Sequence, residues 1–456
     1  MRLITTGYSW KQTEADPHWR VGKGRHMMEK EQNMKSITKK MKADSYRMAS
    51  LQEEDRNRIL AAVKEALLAD QEEIFAANAV DMEQAEANNL PDPVKKRLLF
   101  DTHKLESVTE GIDQLISLPD PFNKKLMDRE LDAGLRLIKT SCPIGVIGII
   151  FESRPDAMVQ ISSLCIKSGN CTVLKGGSET ANTNRVMFQT IYQAAVKAGA
   201  PEGCMYQAQA HSEIDELLSC YGSVDLIIPR GSNAFVSYIM NHTRIPVMGH
   251  ADGVCHIYVD KDADLAMALP IITDAKIQYT AACNAAETLL IHRQIAKEAL
   301  PVIAAELKKN NVILRGTGEV SELIECAQMK EEEFNTEYLD LILSVKIVDS
   351  VDEAIRHINT YGSHHTDAII TNDTETAEKF LNLVDSAGCY VNCSTRFSDG
   401  FRYGFGAEVG ISTSKLHARG PVGLEGLTTY KYKLYGNGQT VGEYANGSRR
   451  FHFRDL

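Results

Sequence analysis

Strands and helices alternate along most of this 456-residue chain, and this alternation limits the possible folds more than any other feature. Strand-like apolar runs of a first series occupy residues 145–152, 171–175, 205–208, 226–229 and 255–259. Those of a second series occupy residues 287–292, 345–348, 367–371 and 389–392. Helical patterns between the runs indicate βαβ units, whose strands form parallel sheets covered by helices. We therefore predict two α/β domains, with a boundary near residues 274–280.

Other segments do not follow this alternation. Residues 45–118 are helical in pattern, with apolar residues at three- and four-residue spacing. Residues 135–144 and 427–434 are extended, and the second of them alternates β-forming residues with lysine. The first residues are polar and lack the apolar core of a secretory signal, so we predict a disordered extension at residues 1–41. A polar, Gly- and Asn-rich end predicts a flexible tail at residues 436–456.

The composition excludes several classes of function. A net charge of −11 argues against nucleic acid or an anionic membrane as the main partner. No apolar run approaches the ~18 residues that a membrane-spanning helix needs. The ten cysteines are scattered and form no C-x-x-C pair, so we expect no metal site and a reducing, cytoplasmic location.

Cys283 is the candidate nucleophile. It lies in a loop of small residues that leads directly into an apolar strand, which presents a thiol from a rigid element with little bulk in front of it. Two other thiols compete with it. Cys255 lies in an apolar run and is better explained as a buried core residue, whereas Cys393 lies in a polar loop.

Two turns that combine a cation with glycine follow strands of the first series, at residues 175–178 and 229–232. Glycine allows close approach of the backbone, and the N-terminus of the following helix favours an anion. Each turn alone is equally well explained as a plain strand–helix connection. Both follow strands of one predicted parallel sheet, where ligands gather at the carboxyl ends, and this favours a bound dinucleotide. The chain has neither a G-x-G-x-x-G motif nor a P-loop.

Two loops near the C-terminus, residues 391–400 and 415–421, carry cations and hydrogen-bonding side chains. Arginine binds a carboxylate or a phosphate through two parallel hydrogen bonds, so these loops are candidates for an anionic substrate. The alternative is a pair of solvated loops with surface ion pairs.

Six motifs together resemble a known family. They are CPIGVIGIIFESRPD (142–156), VLKGGS (173–178), IPRG (228–231), GHADGVCH (249–256), ACNAAETLL (282–290) and LHARGP (416–421). In combination they are similar to the motifs of the γ-glutamyl phosphate reductases, which belong to the aldehyde dehydrogenase superfamily. The resemblance covers about residues 42–435.

This resemblance implies an aldehyde dehydrogenase-like α/β fold with two Rossmann-like domains and a small β-flap. The implied NADP-binding domain comprises residues 42–134 and 145–274, and the implied catalytic domain comprises residues 275–420. Residues 135–144 and 421–435 would form the flap, through which such proteins make homo-oligomers.

The resemblance also implies roles for individual residues. Cys283 falls on the catalytic cysteine, and Asn284 is placed to offer its backbone N–H to the developing oxyanion. The implied cofactor-binding residues are Lys175, Gly176, Ser178, Arg230, Gly231, Ser232 and Glu337. Candidates for the substrate's carboxylate and phosphate are Arg154, Arg396, Lys415 and Arg419. His256 and His417 are candidates for proton transfer, although an isolated histidine is more often structural.

The absence of one glutamate limits the type of reaction that is expected. Hydrolytic aldehyde dehydrogenases carry a glutamate base in a turn that here reads His250-Ala251-Asp252-Gly253. Without a base to activate water, a thioester on Cys283 would survive until it is reduced. The resemblance then implies NADPH-dependent reduction of L-glutamyl 5-phosphate to L-glutamate 5-semialdehyde in proline biosynthesis. The alternatives are a hydrolytic NAD-dependent aldehyde dehydrogenase and a non-catalytic scaffold for glutamate 5-kinase, with which association is plausible in any case.

Overall fold

The computed structural model describes residues 33–152, 154–210, 212–249 and 252–456. Most of the expected disordered extension, residues 1–41, therefore lies outside the described residues. For its last residues the expectation is wrong, because a helix, α1 (Met34–Met48), begins there. Met34, Met41 and Met48 lie seven residues apart, so they share one face of α1 and are buried in the hydrophobic core. The polar residues between them hide this periodicity in the sequence.

Helices, a hairpin and the first alternating series form the N-terminal half. The helices are α2 (Glu53–Ala69), α3 (Gln71–Ala87), α4 (Asp92–Leu98) and α5 (Thr102–Ser117). The hairpin strands are β1 (Lys125–Asp132) and β2 (Leu135–Pro143). The series then comprises β3 (Val146–Phe151), α6 (Pro155–Lys167), β4 (Cys171–Lys175), α7 (Ala181–Lys197), β5 (Met205–Gln207), α8 (Ser212–Leu218), β6 (Leu226–Arg230) and α9 (Asn233–Asn241).

A second series and a C-terminal region follow. The series comprises β7 (Cys255–Val259), α10 (Leu265–Ile277), β8 (Ala286–His292), α11 (Arg293–Lys309), β9 (Ile313–Gly316), α12 (Gly318–Ser321), β10 (Ala327–Gln328), β11 (Ile342–Val348), α13 (Val351–Tyr361), β12 (Thr366–Ile370), α14 (Thr374–Leu383) and β13 (Gly388–Val391). The C-terminal elements are β14 (Ile411–Ser412), β15 (Gly420–Pro421), β16 (Thr428–Tyr435), α15 (Val441–Ala445) and β17 (Arg454–Asp455).

Two parallel sheets organise the chain. The first has the strand order β5-β4-β3-β6. The second has the order β10-β9-β11-β8-β7-β12-β13. The prediction of an α/β fold with two parallel sheets is confirmed. Within the described residues, no helix has both the length and the apolar content to cross a membrane.

One strand belongs to a different sheet from the one expected. The sequence placed residues 255–259 in the first series and extended the NADP-binding domain to residue 274. Instead β7 pairs with β8 and β12, in the middle of the second sheet. Alternation along the chain does not reveal which sheet a strand joins, because that choice depends on hydrogen bonds to strands far away in sequence.

A third, antiparallel sheet has the order β16-β2-β1-β17. Residues 125–132, expected in the NADP-binding domain, form its strand β1. The expected flexible tail is also wrong in part, because β17 pairs with β1 through Arg129↔Asp455 and Glu130↔Arg454. Two ion pairs accompany this strand pairing: Arg129 Nε lies 2.6 Å from Asp455 Oδ1, and Arg454 Nη2 lies 3.2 Å from Glu130 Oε1. Composition alone did not predict this strand.

Candidate active site

Cys283 lies in a turn between the end of α10 and the start of β8. This turn is at the amino-terminal ends of the central strands of the second sheet. The backbone N–H of Ala285 donates to Ala282 O over 2.9 Å and closes the turn around the thiol. Cys283 is partly exposed, whereas β8 is buried along its whole length. A rigid strand therefore holds a thiol that reactants can reach.

His365 faces this thiol, and sequence reasoning missed it. Its Nε2 lies 3.1 Å from Cys283 Sγ, and its Nδ1 lies 3.0 Å from Thr366 Oγ1. The imidazole is fully buried. β8 and β12 both begin at this end of the sheet, with β7 between them. This strand order brings Cys283 and His365 together, although they are 82 positions apart in the sequence. The only signal in the sequence was a histidine immediately before an apolar strand.

The other thiols of the chain are poorly suited to act as nucleophiles. Burial raises the pKa of every one of them and so favours the unreactive, protonated form. They are Cys142, Cys165, Cys171, Cys204, Cys220, Cys255, Cys326, Cys389 and Cys393. Cys255 is fully buried and its Sγ donates to Cys283 O over 3.3 Å, so it supports the nucleophile's turn.

Gly253 packs directly against the backbone of the nucleophile. A Cβ atom at this position would lie 2.2 Å from Cys283 O and 2.5 Å from Cys283 Cα. Backbone atoms, unlike the end of a flexible side chain, cannot turn away from such an overlap. The segment before β7 and the turn before β8 therefore fit together only with glycine at residue 253.

Replacing Gly253 with alanine should displace Cys283 and lower catalytic activity by about 10²-fold, the loss typical of a 1 Å error in placing a reacting group. Steady-state kinetics of the purified variant would measure this. Gly318→Ala is the matched control, because a Cβ there meets nothing within 4 Å. Equal activity of the two variants would contradict the assigned packing.

Two arginines lie close enough to Cys283 to interact with it electrostatically. Burial lowers the pKa of the Arg230 guanidinium, and Glu408 and Cys283 oppose this shift. Burial and Arg402 lower the pKa of Arg396, and Cys283 again opposes the shift. Because arginine stays charged in proteins, both groups supply positive charge beside the thiol. An anionic substrate would meet them there.

The other substrate-binding candidates differ in their surroundings. Arg154 is exposed just before α6 and is close enough to Arg230 to affect its pKa. Lys415 and Arg419, by contrast, both bind Asp385, with N–O distances of 2.6 and 3.1 Å. These two cations are therefore already paired with a carboxylate, whereas Arg230 and Arg396 interact electrostatically with the thiol.

Asn284 connects the nucleophile's turn to the segment that carries Arg396. Its Nδ2 donates to Ser398 O over 2.8 Å, and its backbone oxygen accepts from Thr395 Oγ1 over 2.7 Å. Its Oδ1 is buried and has no hydrogen-bond partner among the described residues. The side chain of Asn284 thus holds two parts of the site together.

The carboxyl ends of the first sheet form a second part of the site. Here a cleft of about 360 Å³ is lined by Phe188, Gln189, Tyr206, Gln207, Gln209 and Glu213. Lys175 ends β4 near this cleft, and its Nζ donates to Gly176 O over 2.6 Å. Burial lowers the pKa of Lys175, and the carboxylates of Glu179 and Glu213 oppose that shift. An aromatic-lined cleft at the carboxyl ends of parallel strands fits the adenosine part of a dinucleotide.

The two glycine turns begin helical segments. Ser178 starts a 3-10 turn that leads into α7, and Ser232 caps α9 by accepting the N–H of Phe235 over 3.4 Å. A Cβ on Gly231 would lie 2.9 Å from the Glu152 carboxyl carbon, and one on Gly176 would lie 2.1 Å from Asn184 Nδ2. These turns are packed too closely for a larger residue without rearrangement.

Glu337 reaches the start of α9. Its Oε2 accepts from Asn233 Nδ2 over 2.8 Å, and the same amide donates to Asp252 Oδ1 over 2.6 Å. Glu337 therefore lies next to the turn that ends in Ser232. Of the stretch in which a glutamate base was missing, His250 and Ala251 lie outside the described residues. Asp252, the described acidic residue of that stretch, is engaged by Asn233.

The two histidines proposed from the sequence have partners elsewhere. His256 Nδ1 lies 2.8 Å from Asp367 Oδ1, and His417 Nε2 lies 3.0 Å from Thr428 O. Neither contact involves Cys283, so the structure brings neither histidine into contact with the thiol through these atoms. In the described part of the chain, no group of three or more histidine, cysteine or acidic side chains is arranged to hold a metal ion.

Comparisons with known proteins agree with this geometry. The aldehyde dehydrogenase family model matches residues 15–330. A gamma-glutamyl phosphate reductase of Ruminiclostridium cellulolyticum is 56% identical over 407 residues, which cover 89% of this chain and 94% of that protein. The corresponding enzyme of Pelotomaculum thermopropionicum is 54% identical over 424 residues, or 93% and 98% of the two chains.

A solved structure is also similar. The crystal structure of gamma-glutamyl phosphate reductase from Thermotoga maritima superimposes with a TM-score of 0.86 at 38% identity. The match covers 89% of this chain and 98% of that one. The resemblance inferred from the six motifs is thereby confirmed. The chain belongs to the aldehyde dehydrogenase family and, within it, to the group formed by the gamma-glutamyl phosphate reductases.

Proposed function

We propose that this chain reduces L-glutamyl 5-phosphate to L-glutamate 5-semialdehyde and phosphate, with NADPH as the reductant. This is the second step of proline biosynthesis from glutamate. The observation that carries the proposal is the setting of Cys283, a thiol in contact with an imidazole and close enough to the guanidinium groups of Arg230 and Arg396 to interact electrostatically with both. Such a setting suits attack on an acyl group that bears negative charge.

The residues of the chain act in sequence. Cys283 Sγ bonds to the γ-carbonyl carbon, the bond from that carbon to the phosphate oxygen breaks, and a γ-glutamyl thioester remains on the protein. We assign the substrate's phosphate and carboxylate to Arg396 and to Arg230, although the sequence placed Arg230 with the cofactor, and the exposed Arg154 lies close to Arg230. The backbone N–H of Asn284 stabilises the oxyanion. A nicotinamide held by Glu337 and the turn at Ser232 would supply the hydride that the thioester carbon receives. Collapse of the resulting thiohemiacetal releases the semialdehyde and restores Cys283.

We assign the cofactor to the carboxyl ends of the first sheet. The adenosine would lie in the 360 Å³ cleft near Lys175, Gly176 and Ser178. The turn at Gly231 and Ser232 would approach the pyrophosphate, while Glu337 would hold the nicotinamide ribose. Lys175 supports NADP over NAD, because its ammonium group can pair with a 2′-phosphate.

The assembly and location are also proposals. We infer a homo-oligomer that forms through the flap, supported by the exposed tyrosines Tyr430 and Tyr432 on β16, the outermost strand of its sheet. Association with glutamate 5-kinase is supported by chemistry, because an acyl phosphate hydrolyses in water. A cytoplasmic location is supported by the ten cysteines, all of them free thiols.

The alternatives are less well supported. A hydrolytic aldehyde dehydrogenase needs a base that activates water, and Asp252 is bound by Asn233. A non-catalytic scaffold needs no thiol in contact with a buried imidazole. The two relatives from Ruminiclostridium cellulolyticum and Pelotomaculum thermopropionicum, which match over nearly their whole length, carry the name of the reductase.

The experiment that tests this function runs the reaction in the oxidative direction. The purified chain receives L-glutamate 5-semialdehyde and NADP, with and without inorganic phosphate, and NADPH is followed at its absorption band. We expect NADPH to form only when phosphate is present, and to form faster than NADH does from NAD. Formation at the same rate without phosphate would indicate the hydrolytic alternative, and no formation under any condition would indicate the scaffold.

A further inference from the structure

His365 has no role in the mechanism described above, although it is the side chain in contact with the reacting sulfur. We propose that His365 is the proton carrier of this active site: it accepts the thiol proton of Cys283 and passes it to the departing phosphate. The second half of this proposal rests on the proposed function. The first half concerns the thiol alone and can be tested without substrate.

The geometry of the imidazole determines which of its atoms acts. Nδ1 lies 3.0 Å from Thr366 Oγ1, and Nε2 lies 3.1 Å from Cys283 Sγ. With the proton of the neutral ring on Nδ1, bonded to Thr366, the lone pair of Nε2 faces the sulfur. Full burial of the ring leaves it no room to turn away from this arrangement.

Three other charged or titratable groups in the described part of the chain interact with Cys283, and none of them exchanges a proton near neutral pH. They are Arg230 at the end of β6, Arg396 in the 3-10 turn Thr395–Phe397, and Cys255 on β7. Arginine remains protonated in proteins. Burial raises the pKa of Cys255 well above its ordinary value, so that thiol keeps its proton. His365 is therefore the group available to accept one.

The proton balance of the reaction is complete with this residue. As Sγ bonds to the γ-carbonyl carbon, the thiol proton moves to Nε2 and the ring becomes an imidazolium. The carbon–oxygen bond to phosphate breaks, and the imidazolium gives its proton to that oxygen, so monohydrogen phosphate leaves and the ring is neutral again. After reduction, the thiohemiacetal collapses to the semialdehyde and a thiolate, which regains a proton from water through His365.

The test measures the reaction of Cys283 with iodoacetamide between pH 5 and pH 10 in the full chain without substrate. Peptide mass spectrometry then gives the rate at Cys283 separately from the other nine thiols. In the wild type we expect alkylation to remain fast well below pH 7. In His365→Asn we expect the midpoint of the profile to move to higher pH and the rate at pH 6.5 to fall by about 10- to 100-fold.

His364→Asn is the matched control. It changes the neighbouring histidine, whose Nδ1 contacts Asp385 O and whose side chain is partly exposed. Its alkylation profile should match that of the wild type. An unchanged profile in His365→Asn would overturn the proposal. If His365→Asn does not fold, the alkylation profile of the wild type alone tests the proposal. A midpoint near that of an ordinary thiol, about 8.5, for Cys283 in the wild type would also overturn the proposal.

The catalytic assay separates this proposal from the proposed function. In the phosphate-dependent reaction, His365→Asn should lower kcat by about 10²-fold or more, as expected for the loss of a general base. Loss of phosphate dependence in the wild type, together with a shifted alkylation profile in His365→Asn, would refute the reductase but keep the proton acceptor. Full kcat and an unchanged profile in His365→Asn would refute the proton carrier but keep the reductase.

Discussion

Replacing Cys283 with serine is expected to lower kcat of the phosphate-dependent reaction by at least about 10³-fold. A serine hydroxyl is a far weaker nucleophile than a thiol, and its ester would be a poorer acceptor of hydride than a thioester. The fold should be unaffected, because the side chain is partly exposed and nearly isosteric. The loss should therefore appear in kcat, with cofactor binding retained when it is measured by fluorescence titration.

Cys393→Ser is the matched control for this variant. Cys393 is another partly buried thiol in a loop, and burial raises its pKa. Its replacement should change kcat less than twofold. A Cys283→Ser protein that retains full activity would exclude the thioester mechanism, and a comparable loss in both variants would show that the two thiols act together.

The second large effect is expected at a buried ion pair close to the site. Lys276 on α10 and Glu287 on β8 are fully buried, and Nζ lies 2.7 Å from Oε2. Glu287→Gln leaves the ammonium group buried without a counter-charge, which costs about 3–5 kcal/mol of unfolding free energy. Chemical denaturation monitored by circular dichroism would measure this cost. The Lys276→Met/Glu287→Gln double variant should recover most of it, because neither partner is then charged.

An exposed pair provides the comparison. Lys308 and Glu325 lie 2.8 Å apart on the surface, and the variants Lys308→Met and Glu325→Gln should leave the unfolding midpoint unchanged. Equal destabilisation by Glu287→Gln and Glu325→Gln would show that the buried pair contributes no more to the free energy of unfolding than the exposed pair does.

The buried pair also predicts a pH dependence. Burial raises the pKa of Glu287 to about 7, against the lowering effect of Lys276. In the Lys276→Met variant that lowering effect is lost, so the folded chain keeps the proton of Glu287 to a still higher pH than the unfolded chain does. The folded state then binds more protons, and the free energy of unfolding of this variant should fall as pH rises from about 4.5 through 7. Stability that rises over this range would contradict the assignment.

The same pair also supports the loop that carries Glu337. Glu287 Oε1 accepts the backbone N–H of Leu339 over 3.2 Å, and Leu339 has a positive φ of 53°. This contact holds the loop whose Glu337 reaches Asn233. A carboxylate buried in one sheet thus holds in place the residue that we assign to the nicotinamide ribose.

The local features of the site were predictable. Cys283 was identified because a small-residue loop precedes an apolar strand, and both properties are visible over ten residues of sequence. The glycine turns at Lys175 and Arg230 were found in the same way. By contrast, α1 was missed because its apolar stripe consists of three methionines seven residues apart among polar residues. Local sequence patterns therefore predicted features whose characteristic residues are close together in the chain. They missed α1, whose buried methionines are separated by polar residues.

Long-range partners were not predictable. Nothing near Lys415 or Arg419 in the sequence indicates that Asp385 binds both of them, and nothing near Arg230 indicates that it interacts with Cys283. These interactions depend on which loops lie next to each other at the ends of the strands. A cation in a loop therefore indicates only that the loop can bind an anion. The residues that lie next to it in the folded chain determine whether that anion is a ligand or a carboxylate of the chain.

The sequence by itself determined the alternating α/β architecture, the candidate nucleophile and the two cation–glycine turns, because each depends on residues adjacent in the chain. The tertiary structure alone decided that β7 joins the second sheet, that His365 meets Cys283, and that Glu287 supports the loop of Glu337. The physical reason is strand order. Hydrogen bonds between parallel strands join segments tens of residues apart, and the chain carries no local record of which strands will pair.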